Sequence, residues 1–272
     1  MDFPAKIDPG TLVRYQRELG SMLPVFFTET TGSTNSDAAA MLASGRAEGN
    51  FAIVANAQCA GRGRIPGRRW ESVPGNIFLS CGFLPPALPP SRLANFTLWL
   101  GVAVAKMLRE KFSVPVVVKW PNDIWCRGKK MAGMLTEAHV GAGKIRGIIF
   151  GIGLNVNLDV LSEKNAFPAT SLKAELGGKQ LDVNRICAEL LLAIEAAYAD
   201  FVAGTHGEKL AVAWRSFDCL GGKRVVAVYG NEKIAGTACG VDTGGNLLIR
   251  TGAGTLHAFA AGDITLEKFA EA

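Results

Sequence analysis

The sequence predicts an α+β chain that ends in a small all-β module, and three observations carry that prediction. Helical and strand-like segments follow one another between residues 25 and 217, the texture changes to short strands and glycine turns from Leu220 onward, and hydrophobic residues make up 49% of the chain against 19% charged. Such a balance excludes a disordered chain, because there is enough apolar surface to offset the entropy lost on ordering. At 272 residues there is room for one large domain with a small companion.

Residues 1–24 hold one short helix candidate, Thr11 to Leu19, closed by Gly20, and read as an N-terminal extension. A run at Val25 to Thr28 leads to Thr31-Gly32-Ser33-Thr34-Asn35, and a helix over Asp37 to Ala43 follows, with Gly45 beyond its end. Thr34 with Asp37 three residues on is a capping arrangement. Phe51 to Ala57 and Asn76 to Leu84 read as buried strands on either side of a loop at Arg62 to Trp70. Prolines between 85 and 90 precede an amphipathic helix at about Ser91 to Lys111. Pro115 to Trp120, Met131 to Val140 and Lys144 to Asn155 are further strands, the last two joined as a hairpin by Gly141-Ala142-Gly143. Apolar spacing at i, i+3, i+4 predicts a helix from Val183 to Val202, and a shorter one fits Lys209 to Phe217. A boundary near 217 sets the large domain, 25–217, apart from a module at 218–272 with strands at Arg224 to Tyr229, Lys233 to Val241 and Leu247 to Arg250. About fifty residues of β-structure are marginal alone, so the module is expected to lean on its neighbour.

Lys and Arg number 29 against 24 Asp and Glu, a formal charge of +5 that permits a nucleic-acid partner without identifying one. Four of those charges, Arg62, Arg64, Arg68 and Arg69, sit in one loop, so the rest of the chain carries only +1. The six cysteines stand 20 or more residues apart, with no Cys-x-x-Cys and no finger spacing to the three histidines. Cys or His metal ligation is therefore not expected, and most of the thiols are expected to be small buried residues in a reducing compartment. No apolar run approaches the roughly 18–20 residues of a membrane span and the N-terminus lacks a secretory pattern, so the expected compartment is the cytosol.

Four stretches carry chemistry. Gly61-Arg62-Gly63-Arg64-Ile65-Pro66-Gly67-Arg68-Arg69-Trp70 packs four arginines and three glycines into ten residues without one acid. Glycine lets backbone N–H groups approach an anion and guanidinium forks bind it bidentately, although a solvated basic loop is an equal reading of the run alone. Lys119-Trp120-Pro121-Asn122-Asp123 delivers a cation, an amide and a carboxylate at a strand end, which suits a phosphate with Mg²⁺ or, more plainly, a turn. Gly128-Lys129-Lys130-Met131-Ala132-Gly133-Met134-Leu135-Thr136-Glu137 is a basic turn feeding a strand with an interior glycine, and Gly151-Ile152-Gly153-Leu154-Asn155-Val156-Asn157 ends another; such glycines mark close approach by a ligand or a bulge.

The ordered set Ser33-Thr34-Asn35, Gln58 with Gly61-Arg62-Gly63-Arg64, Lys119 to Asp123, Lys130-Met131-Ala132-Gly133 and Gly151 to Asn155 resembles the bacterial biotin protein ligases (biotin–[acetyl-CoA-carboxylase] ligases), over roughly residues 25–267. The resemblance implies a mixed β-sheet flanked by helices, related to lipoate ligases and class II synthetases, followed by an SH3-like barrel. It implies ATP-dependent formation of biotinyl-5'-AMP and transfer of biotin to a lysine of a biotin carboxyl carrier protein. Ser33, Thr34, Asn35 and Gln58 would hold the biotin ureido end, with backbone of Gly61 and Gly133 over the ring. Arg62, Arg64 and Lys130 would hold the biotin carboxylate and the α-phosphate. Arg68, Trp70, Lys119, Asn122 and Asn155 would serve ATP, with Trp70 over the adenine, and Lys130, Arg62 and Asp123 would be the catalytic groups. Mg²⁺ would arrive on the substrate phosphates, with Asp123 as its one candidate protein ligand. The implied partner is the carrier protein, with no DNA and no membrane, and a homodimer is compatible with it.

Three positions depart from the family pattern. Ile65-Pro66 stands where one residue is usual, Glu267 follows Gly262-Asp263-Ile264-Thr265-Leu266 where some members place an arginine, and the 24 residues before the core leave no room for the winged helix of repressor-type members. Two other functions compete. A lipoate or octanoate ligase of the same superfamily fits the Gln58-containing loop and Lys119 to Asp123 less well. A non-catalytic, basic nucleic-acid-binding protein leaves Ser33, Lys119, Lys130 and Asn155 without a role.

Overall fold

In the computed structural model, residues 6–86, 88, 93, 95–159, 168–229, 232–260 and 263–266 are described, and seven strands pair in the order β1-β2-β3-β7-β6-β5-β4. These are β1 (Val25–Thr31), β2 (Phe51–Gln58), β3 (Ile77–Phe83), β4 (Val116–Lys119), β5 (Asp123–Cys126), β6 (Lys129–Gly141) and β7 (Lys144–Leu154). The continuous apolar runs of β2, β3 and β7 are buried on both faces, which places them centrally. Only β1 and β2 run parallel, and α2 (Thr34–Ala43) makes the crossover that a parallel pair requires.

Strand alternation divides β2 between two cores. Ala52 and Val54 face the larger one with α1 (Pro9–Leu19), α3 (Phe96–Phe112), α5 (Val183–Ala203) and α6 (His206–Phe217), while Phe51 and Ile53 face Ala38 and Met41 of α2. Helix α1 is set by Pro9 at its start, by the Asp8 carboxylate accepting from Thr11 N–H at 2.8 Å, and by Gly20 at φ 80°. It packs on α5, whose N-cap Asp182 accepts from the Tyr15 hydroxyl at 2.9 Å. A four-residue helix, α4 (Leu172–Glu175), capped by Ser171, lies between β7 and α5.

The C-terminal module is an antiparallel sheet, order β11-β10-β9-β8-β12, of β8 (Arg224–Tyr229), β9 (Glu232–Val241), β10 (Leu247–Arg250), β11 (Leu256–Phe259) and β12 (Asp263–Leu266). It leans on the main sheet as its size requires: Trp120 Nε1 donates to Gly245 O at 2.9 Å, Asn95 Nδ2 to Thr243 O at 2.9 Å, and Cys219 N to Val118 O at 2.9 Å.

Several details differ from expectation. The N-cap of α2 is Ser33, not Thr34, because the Thr34 hydroxyl is engaged by Ser80 and Gln58 and Asp37 accepts from the Thr31 hydroxyl. Helix α3 begins at Phe96, and Ser91 lies outside the described residues, as do Gly262 and Glu267. Strand β5 occupies what reads as an exit loop: four residues become a strand only because β4 and β6 pair with them on both sides. Cys59 and Cys239 are exposed and Cys219 half-buried, so only Cys81, Cys126 and Cys187 are buried thiols. No helix among the described residues is long and apolar enough to cross a membrane.

Candidate active site

Two cavities meet on the sheet between β6, β7 and the arginine loop. The smaller, about 60 Å³, is lined by Ser33, Thr34 and Asn35 at the start of α2, Gln58 at the end of β2, Arg62 and Arg64 of the loop, Lys130 and Gly133 of β6, and Gly151 and Gly153 of β7. Its polar groups are fixed by one another. Gln58 Oε1 accepts from Thr34 N–H at 2.8 Å, which leaves the amide nitrogen of Gln58 beside Gly61. Ser80 Oγ, fully buried in β3, lies 2.7 Å from Thr34 Oγ1 and 2.6 Å from Asn35 Oδ1. Asn35 Nδ2 donates to Glu137 at 2.7 Å, and Glu137 stands 3.3 Å from Arg62 Nη2. Glycine is required here: a Cβ on Gly151 would meet Asn35 Oδ1 at 1.9 Å, and one on Gly153 would meet the Trp70 indole at 2.4 Å.

The larger cavity, about 330 Å³, is lined by Arg64, Arg68 and Trp70 of the loop, Lys119 to Asp123, Lys130, Asn155, and Ile264 from the C-terminal module. Lys130 Nζ is 2.7 Å from Asp123 Oδ1 and 5.4 Å from the centre of the Trp70 ring. Lys119, buried at the end of β4, sits 4.4 Å over the Trp125 ring. The Asn122 amide donates to Met134 O at 2.7 Å and the Asn155 amide to Thr170 O at 3.0 Å, so both asparagines also tie strand ends together. Arg64, Trp70, Asn122 and Lys130 line both cavities.

The arginine loop is a short hairpin rather than a free coil. Arg62 bridges Arg69, Gly63 N donates to Arg68 O at 2.8 Å, and Arg68 N donates to Ile65 O at 3.1 Å. Pro66 and Gly67, the latter at φ 83°, occupy the two central positions of that turn, which is the type II pattern, so the additional residue lengthens the tip and leaves the arms paired.

Of the residues expected at a biotin site, Gly61 alone misses the small cavity; with Arg62, Arg68 and Arg69 it lines a third opening on the outer side of the loop. Of those expected at ATP, Arg62 alone misses the large cavity, because it turns toward Glu137. Trp70 lines both cavities, with its indole on the Gly133–Gly153 floor. Ser80, Glu137 and Asn76, which were not expected, complete the network; Asn76 Oδ1 accepts from Val156 N–H at 3.0 Å beneath the large cavity. Only Glu137 had a signal, as a charge inside a strand beside Gly133. Among the described residues no three His, Cys, Asp or Glu side chains converge where a metal could sit. A Mg²⁺ held mainly by waters and substrate phosphates would fit this arrangement, in which Glu71 and Asp123 are the carboxylates lining the large cavity.

Residues 27–155 match the Biotin/lipoate A/B protein ligase family, and residues 220–266 match the Biotin protein ligase C terminal domain. The Bifunctional ligase/repressor BirA of Bacillus subtilis is 35% identical over 83% of this chain and 69% of its own length. The Biotin--[acetyl-CoA-carboxylase] ligase of Mycobacterium tuberculosis is 34% identical over 86% of this chain and 85% of its own. Among solved structures, Biotin protein ligase from Aquifex aeolicus in complex with biotin and ATP superposes with a TM-score of 0.74 at 29% identity, covering 90% of this chain and 99% of that one.

Proposed function

This chain belongs to the biotin protein ligase family, and from that premise we propose that it joins biotin to ATP as biotinyl-5'-AMP and passes the biotinyl group to a lysine of a biotin carboxyl carrier protein. The observation that carries this reading is the junction: Lys130, with Arg64 beside it, borders both cavities, where two substrates would have to meet. The small cavity takes the ureido ring and the large one the nucleotide.

The first step needs cations. A carboxylate oxygen of biotin attacks the α-phosphorus, the bond to the bridging oxygen breaks, and pyrophosphate leaves. Two anions approaching to about 4 Å repel by roughly 4 kcal/mol at an effective dielectric near 20, so a positive charge between them lowers the barrier directly. Lys130 is that charge, with Arg62 and Arg64 closing from the loop. Mg²⁺, supplied with ATP, would neutralise the departing phosphates.

In the second step the acceptor amine attacks the carbonyl carbon, the bond to AMP breaks, and one proton is lost from nitrogen. A lysine of ordinary pKa near 10.4 is mostly protonated at pH 7, a deficit of roughly 4.6 kcal/mol. Asp123 lines the large cavity, paired with Lys130 at 2.7 Å, where it can orient the ammonium and take its proton. The lipoate or octanoate alternative lacks an equivalent use for the buried hydrogen-bonding groups of the small cavity, which suit a ureido ring rather than an alkyl chain. Biotin-dependent exchange of labelled pyrophosphate into ATP tests the reading. Exchange with biotin is expected; exchange with lipoate or octanoate alone would overturn it.

A further inference from the structure

We propose that Glu137 and Ser80 are positioning residues that fix the polarity of the small cavity by setting the direction of a chain of hydrogen bonds. The inference rests on the biotin reading and adds how the ring is selected. A carboxylate only accepts, so Asn35 must turn its amide nitrogen toward Glu137, 2.7 Å away; Leu135 O, 3.4 Å from the same nitrogen, agrees. Asn35 Oδ1 then faces Ser80 at 2.6 Å and can only accept, so the Ser80 hydroxyl donates to it. With that proton committed, the Thr34 hydroxyl turns its own proton inward, shared between Ser80 Oγ at 2.7 Å and Gln58 Oε1 at 3.1 Å. Thr34 Oγ1 consequently shows the cavity lone pairs alone. Gln58 is fixed by the Thr34 N–H on its oxygen at 2.8 Å, so its amide nitrogen is the group left to donate.

The cavity thus offers an acceptor at Thr34 beside a donor at Gln58, the complement of a cyclic urea, whose N–H donates and whose C=O accepts. Buried groups make the match exacting, since an acceptor facing an acceptor leaves both unsatisfied. Arg62 shares the Glu137 carboxylate at 3.3 Å, so the same residue links the ring floor to the anion-binding loop.

The test compares biotin with its two isosteres in which one or the other ureido N–H is replaced by a ring oxygen, in pyrophosphate exchange by wild type, S80A, E137A and E137Q. Wild type is expected to penalise at least one oxa analogue strongly. In S80A and E137A the KM for biotin rises roughly tenfold. The penalty on that analogue shrinks by about the same factor, because the Thr34 proton, then held by Gln58 Oε1 alone at 3.1 Å, can turn outward, and the KM for ATP stays put. E137Q, which can still accept from Asn35, recovers biotin KM and discrimination. Loss of binding to biotin and analogue alike, with their ratio unchanged, would reduce these residues to structural support and overturn the proposal, as would E137A behaving as wild type. A wild-type enzyme that ignores biotin would instead refute the reading beneath it. E137A, at the half-exposed rim, keeps the test available if the buried S80A fails to fold.

Discussion

The small cavity rests on strand interiors and the first residues of one helix, with Thr34, Asn35 and Gln58 held by one another and by Ser80 and Glu137, whereas the large cavity draws more on the hairpin loop, a strand exit and one residue of the C-terminal module. The first is a preorganised surface and the second an assembled one. Binding selectivity is accordingly expected from the strand-built cavity, and retention of the reactive intermediate from the loop-built one. Lys130 belongs to both, which is why substitutions around it separate the two roles.

The largest effect is expected from Lys130→Ala, which removes the cation at the junction. Pyrophosphate exchange should fall by roughly 10²–10³-fold in kcat, the range found for losing one preorganised transition-state donor. A loss confined to one substrate's KM would assign Lys130 to a single cavity. Gly153→Ala touches the strand-built floor, where the added Cβ would stand 2.4 Å from the Trp70 indole. Overpacking of this kind should raise the biotin KM roughly tenfold and the ATP KM by less, because the displaced Trp70 also lines the large cavity, as steady-state titration of each substrate would show. Arg64→Gly opens the loop: adenylate formation should persist, and labelled biotinyl-adenylate should escape faster in a filter assay. Unchanged retention would count against the loop as the lid.

The smallest effect lies far from both cavities and calibrates them against plain stability. Burial pushes the Cys187 thiol from its ordinary 9.0 up to about 12. The folded state therefore holds the neutral thiol, and its stabilisation is complete below pH 9.0 and is lost as the pH rises toward about 12. The slope attributable to one such group is about 1.4 kcal/mol per pH unit. Urea unfolding above pH 9 should show that slope reduced in Cys187→Ala, with both substrate KM values at neutral pH unaltered.

Local signals reveal some of this architecture and hide other parts for physical reasons. The Gly141 to Gly143 hairpin and the Asp182 and Gly204 ends of α5 are written in residues that are adjacent in the chain. Motif residues such as Gln58 and Lys130 stand out by type and spacing. Ser80, by contrast, is one hydroxyl inside the apolar run Ile77–Phe83, and its partner Asn35 lies 45 positions away. Glu137 is 102 positions from Asn35. Such groups acquire meaning only when β3, β6 and α2 are brought together. The position of Trp70 was hidden similarly, since an aromatic at a loop end says nothing of the two facing glycines, Gly133 and Gly153, on which it lies.

The central claim is that one ligand spans both cavities across Lys130. The most direct test is calorimetric titration with a non-hydrolysable phosphodiester of biotinol and AMP, followed by competition with biotin and with ATP separately. Binding at least about 10²-fold tighter than biotin alone, displaced by either substrate, is the expected result for two linked sites. A ligand that binds no tighter than biotin, or that competes with only one of the two substrates, would contradict it.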